Sequence, residues 1–156
     1  MAAMKYGYVK GPDTIVNLPL AASQAFSQVG GGFVKVNASG HLEVCGATDD
    51  FIYGWADVPF GNVDRMSGSV FTSSSTAGKD SAVVHLASNT TIFRIPSDAT
   101  VAATIIGNAC DLVVASSVQQ ADIGEEAKQV LRIVDVSAED ITDTTVLVVV
   151  NAIQAN

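Results

Sequence analysis

Apolar and polar residues alternate along most of this chain, and the alternation has the period of a β-strand. In "FVKVN" (33–37) Val34 and Val36 flank Lys35, and in "LEVCG" (42–46) Leu42 and Val44 flank Glu43. Between them lies "ASGH", a glycine-bearing turn, so the two runs predict a β-hairpin with Lys35 and Glu43 on one outward face. "FIYGWAD" (51–57) follows, and strict alternation there predicts Phe51, Tyr53 and Trp55 on one face of a strand. Further strands are predicted at "GSVF", "AVVHLA", "TIFRIP", "VAATIIG", "DLVVAS", "QVLRIVDV" and "TVLVVVNAI". The last of these lacks alternation, which predicts burial on both faces, in a central strand or one covered by a neighbouring subunit.

Short strands spaced by Gly, Ser, Asn and Asp predict an all-β fold, a small sandwich or barrel with an extended N-terminal arm. At most two short helices are expected, over "LAASQAF" (20–26) and "ADIGEEAKQVL" (121–131). Residues 1–14, with Gly7, Gly11 and Pro12, read as the arm, and residues 15–156 as a single β-rich domain. "TSSSTAGKDS" (72–81) and "SAEDITDTT" (137–145) read as loops.

Composition sharpens this picture. Of 156 residues 48% are hydrophobic and 15% charged, too apolar for a disordered chain and unusually poor in charge for the surface of a small monomer. The surface is therefore built from small polar residues or covered by another subunit, which favours an oligomer or an assembly component. The net charge is −8, and the eight basic residues are scattered. Nucleic-acid binding depends on clustered Lys and Arg and is not expected. The sign is uneven. Lys5, Lys10 and Lys35 face Asp13 alone in the first forty residues, whereas an acidic excess marks the chain from Asp111 onward. No apolar run reaches the length of a membrane-spanning helix and no secretory signal is visible, which points to synthesis in a cytoplasm. Cys45 and Cys110 have no metal spacing and read as two buried thiols.

Candidate chemistry is sparse. His41 sits in the hairpin turn, and His85 points opposite to Val84 and Leu86. Neither belongs to a metal-ligand pattern, so no metal or cofactor is expected. Asp49-Asp50, Glu125-Glu126 and Glu139-Asp140 are adjacent pairs, which point to opposite faces of a strand and make no acid–base dyad. The glycines of "VGGGFV" precede a strand, which is the wrong context for a phosphate loop. The aromatics Phe51, Tyr53 and Trp55 read either as a stacking platform or as the core face of a strand.

The order "LAASQAFSQVGGGFVKV", a glycine turn, "LEVCGATDDFIYGWAD" and a valine-rich closing strand resembles the small capsid decoration proteins of tailed phages. The strand Ile52-Tyr53-Gly54-Trp55-Ala56 carries much of the likeness. What the resemblance implies is a β-barrel or β-tulip-like domain, a non-enzymatic structural virion protein on the exterior of an icosahedral head, trimeric, cementing major capsid proteins. It also implies a partner-binding N-terminal arm, here Lys5, Tyr6, Tyr8 and Lys10. Two other classes remain open from the residues. One is a carbohydrate-binding or fibre-type module using Phe51, Tyr53 and Trp55. The other is a hydrolase of dispersed residues, which a deep pocket joining His85 or His41 to two carboxylates would mark.

Overall fold

The computed structural model describes residues 6–26, 31–57, 66–67, 70–115, 118–136 and 144–154. The fold is all-β. A six-stranded sheet is assembled from β1 (Gly7–Lys10), β10 (Ile92–Pro96), β14 (Thr145–Val150), β13 (Leu131–Asp135), β11 (Ala109–Ala115) and β12 (Val118–Asp122), in that order. A five-stranded sheet runs β2 (Ile15–Pro19), β9 (Ser81–Leu86), β6 (Gly54–Asp57), β4 (Gly32–Val36), β5 (Leu42–Val44). A small third sheet joins β3 (Ala25–Phe26), β8 (Val70–Thr72) and β7 (Met66–Ser67).

The six-stranded sheet curls into a half-barrel until β12 reaches the end of β10. There Ser97 bridges Ala121, and the Asp98 N–H donates to the Ala121 carbonyl at 3.0 Å. Its concave side holds the larger core, with Phe93, Ile95, Leu131, Ile133, Val146, Val148 and Val150 packed on Phe33 and Trp55 of the five-stranded sheet. The rings of Phe33 and Trp55 meet edge to face at 4.9 Å, and those of Phe33 and Phe93 at 5.3 Å. The opposite face of the five-stranded sheet builds a second core, in which Val34, Leu42, Ala56 and Val84 pack with Phe26 and Phe71 of the third sheet. Neighbouring residues on a strand point to opposite sides. Phe33 and Val34, like Trp55 and Ala56, therefore serve one core each, and the five-stranded sheet forms the middle layer.

The predicted hairpin forms as β4 and β5, with Lys35 directly opposite Glu43. β14 lies between β10 and β13 and is buried along its whole length, as its unbroken run of apolar residues demands.

Three expectations are corrected. Residues 7–10 of the predicted arm are strand β1, paired antiparallel with β10 at Gly7–Arg94 and Tyr8–Phe93. Gly7 has φ +118°, and a Cβ there would stand 2.7 Å from the Trp55 Nε1. The glycine that suggested a loop is what lets the chain lie against the indole. Neither predicted helix forms. Ala25–Phe26 pairs with Phe71–Thr72, and Ala121–Asp122 with Asp111–Leu112. Strand pairing and burial of Phe26 outweigh the modest helix preference of alanine-rich sequence. "VAATIIG" (101–107) is no strand. It makes one 3₁₀ turn, Ala103–Ile105, none of it buried.

Candidate functional site

Gly54 starts β6 at a point of close backbone approach, where any Cβ would land on the His85 carbonyl oxygen of β9. This intimate pairing sets Trp55 opposite His85, and β2 on the other side sets Ile15 opposite His85. Alternation then sends His85, Asp57, Val83, Ile15 and Asn17 to one face of the sheet. Trp55 shares that face, but β1 covers it at Gly7.

His85 is the most heavily engaged polar side chain of this face. Its Nδ1 lies 2.6 Å from Asp13 Oδ1, and its Nε2 lies 2.7 Å from Asp57 Oδ2. Tyr8 stacks on the imidazole with ring centroids 5.3 Å apart and planes 7° from parallel. The Tyr8 hydroxyl donates to the Gly11 carbonyl at 2.7 Å, holding the turn that delivers Asp13. Burial by itself would lower the imidazole pKa, but the hydrogen bonds to Asp13 and Asp57 outweigh it and leave the pKa raised. An ionised carboxylate only accepts, so the geometry suits an imidazole protonated on both nitrogens. His85 therefore meets two carboxylates, and while the ring carries both protons neither nitrogen has a lone pair with which to take a proton from a substrate.

A second polar site is an open cleft of about 230 Å³ lined by Lys35, Thr48, Asp49, Asp50, Phe51 and Gln154. Lys35 is ion-paired to Asp49 and lies 3.8 Å from Glu43. The hydrogen bond to Asp49 raises the Lys35 pKa against the opposing effect of burial. Asp49 also accepts the Gly46 N–H at 2.7 Å, and Asp50 pairs with Lys128 at 2.7 Å. Lys35 and Asp49 pair within the cleft, and Asp50 pairs with Lys128 beside it. Phe51, 55% exposed, forms its apolar rim.

The three aromatics of "FIYGWAD" do not share a face. Strand pairing within β6 begins only at Gly54, because Ile52 bridges Ile153 near the chain's C-terminal end. Phe51 is exposed, Tyr53 packs against the second core, and Trp55 is fully buried in the first. Of the predicted partner-binding residues, Lys5 lies outside the described residues. Tyr6 and Tyr8 are half-buried against the larger core, and Lys10 is exposed at the end of β1. Tyr6, Tyr8 and Lys10 are parts of the folded domain.

Cys45 and Cys110 are buried free thiols. Burial raises both pKa values, that of Cys110 to about 12, so neither is a nucleophile at neutral pH. Among the described residues no three His, Cys, Asp or Glu side chains converge to hold a metal ion. Asp13 and Asp57 were missed as site residues. The signal for Asp57 was its parity with Trp55 on one strand; Asp13 gave none, because a loop sets its place.

No family model, curated protein or solved structure matches the chain.

Proposed function

We propose that this chain is a structural virion protein that binds the outer surface of an icosahedral phage head as a homotrimer and cements contacts between major capsid proteins. The observation that carries this reading is the uncovered end, at β2 and β9, of the five-stranded sheet's Trp55-bearing face. There Ile15 is 54% and Val83 37% exposed, with small polar Asn17 and Ser81 beside them. Together with a 15% share of charged residues, this is a surface suited to contact with other subunits. The residue order from "LAASQAF" to "GWAD", which resembles decoration proteins, supplies the kind of partner.

The mechanism is mass action. A protein that binds the assembled shell and not its dissociated parts stabilises the shell by its binding free energy. Symmetry repeats each contact, so modest contacts sum to strong attachment. Because Tyr6, Tyr8 and Lys10 belong to the folded domain, attachment in this reading uses sheet surfaces. The carbohydrate-binding alternative is not carried forward, since burial of Trp55 removes the three-ring platform on which it rested.

Cryo-microscopy of heads assembled with and without the chain, and native mass spectrometry of the free protein, test the proposal. The expected result is trimeric density on the outside of the shell, lost in the double variant Ile15→Asp/Val83→Asp while the variant remains folded. A stable monomer that leaves the particles bare would overturn it.

A further inference from the structure

We infer that Asp13, His85 and Asp57 form a protonation-dependent latch, which fastens the N-terminal strand to the five-stranded sheet while the imidazole carries both protons and loosens it when one is lost. The three side chains come from three places: Asp13 from the β1–β2 connection, His85 from β9 and Asp57 from β6. His85 and Asp57 both lie in the five-stranded sheet, and Asp13 lies in the connection that leads from β1 of the six-stranded sheet into β2 of the five-stranded one.

The geometry sets the protonation requirement. Both carboxylates are acceptors, at 2.6 and 2.7 Å from opposite nitrogens of one ring. A neutral imidazole has a single N–H, so one carboxylate would then face a lone pair at hydrogen-bond distance. That contact must open. Asp57 is held in β6, opposite Val83 of β9, by strand pairing. Asp13 lies in a connection and is the partner free to leave. Among the described residues, Tyr8, stacked on the ring, is the remaining titratable group facing it, and its hydroxyl is committed to Gly11. The charges that act on His85 are those of Asp57 and Asp13.

The rest of the seat is neutral and does not respond to pH. Thr91 Oγ1 donates to the Pro12 carbonyl at 2.6 Å, and the Leu86 N–H donates to the Thr14 carbonyl at 2.9 Å. Loss of the proton therefore loosens residues 8–14 without unfolding the domain. The sign follows from the raised folded pKa. The latch is fully made below the ordinary histidine value of 6.5 and is lost as pH rises through the higher folded value.

Hydrogen exchange on the full chain, expressed as protection factors corrected for intrinsic rates, tests this. Between about pH 6 and about pH 9, protection of the amides in residues 8–14 should fall about tenfold relative to β13 and β14. Nitrogen-15 spectra of His85 should show both ring nitrogens protonated at the lower pH. In Asp13→Asn the amide accepts or donates to suit either ring state, so the pH dependence of residues 8–14 should vanish while the cores stay protected. His85→Gln should behave likewise. Flat protection in the wild type, an unprotonated ring nitrogen at the lower pH, or an unchanged pH dependence in Asp13→Asn would overturn the latch.

Discussion

Gln119 on β12 hydrogen-bonds both backbone groups of Phe33 on β4. Its Oε1 accepts the Phe33 N–H at 2.6 Å, and its Nε2 donates to the Phe33 carbonyl at 2.9 Å. The same Nε2 reaches the Cys45 carbonyl at 3.0 Å. A carboxamide presents one donor edge and one acceptor edge, as a peptide group does, so the side chain extends the ladder from one sheet to the next. Gln154 repeats the device at Val36, accepting its N–H at 2.8 Å and donating to its carbonyl at 2.9 Å.

Replacing Gln119 with Met keeps the volume but strands the Phe33 N–H and the Cys45 carbonyl, whereas the Phe33 carbonyl keeps the Cys45 N–H at 3.0 Å. Each unsatisfied group carries a desolvation penalty, so Gln119→Met should destabilise the fold by about 2–4 kcal/mol. Gln154 is only half-buried, and Gln154→Met should cost about 1 kcal/mol because water can replace the amide. Urea midpoints at fixed m-value measure both. Equal losses at the two sites would contradict burial as the cause.

Gly54→Ala should be the more damaging of two glycine substitutions. Its Cβ meets the backbone of β9, which cannot move without breaking the middle layer, and the cost should exceed about 3 kcal/mol. Gly7→Ala combines a φ of +118° with a clash against the edge of the Trp55 indole, and should cost about 2–3 kcal/mol. Trp55 is the chain's one tryptophan, so its fluorescence reports the displacement directly in Gly7→Ala.

Phe51 and Trp55 separate core from surface on one short segment. Trp55→Ala should cost about 3–5 kcal/mol through loss of packing and the cavity left behind. Phe51→Ala, at an exposed rim, should change stability by less than about 0.5 kcal/mol. Denaturant titration distinguishes the two. A large loss at Phe51 would mean that its ring is covered in solution, by a second copy of the chain for example.

Asp122 should show a pH dependence opposite to that of an ordinary carboxylate. Partial burial and then the hydrogen bond with Asp98 raise its pKa, with Glu125 and Asp111 adding repulsion. A raised folded pKa means that this group favours folding as pH falls through that value and opposes folding above it. Asp122→Asn should therefore give a small rise in the urea midpoint near neutral pH that shrinks on acidification. An unchanged difference between the two pH values would remove the raised pKa as its source.

The hairpin β4–β5 was legible because its signal is local: alternation on both sides of a turn sets register, and Lys35 opposite Glu43 follows. β14 was legible because a strand buried on both faces reads as a near-continuous apolar run, here residues 146–150. "LAASQAF" and "ADIGEEAKQVL" misled because their helix preference is worth only tenths of a kcal/mol per residue. Distant partners decide there: Phe71 pairs with Phe26, and Asp111 Oδ1 accepts the N–H groups of Lys128 and Gln129 at 2.7 Å each. The Gly7 segment misled for a related reason, since nothing nearby in sequence reveals the indole against which it lies.

By itself the sequence determined the all-β class, the hairpin and the interior position of the last strand, because period and apolar content act between neighbouring residues. Only the tertiary structure decided which faces are covered: Trp55 went inside while Phe51 stayed out. It alone brought Asp13 to His85 across 72 positions and Asp57 across 28. Such meetings depend on sheet order and on which strand crosses which, and a chain's local pattern carries no record of either.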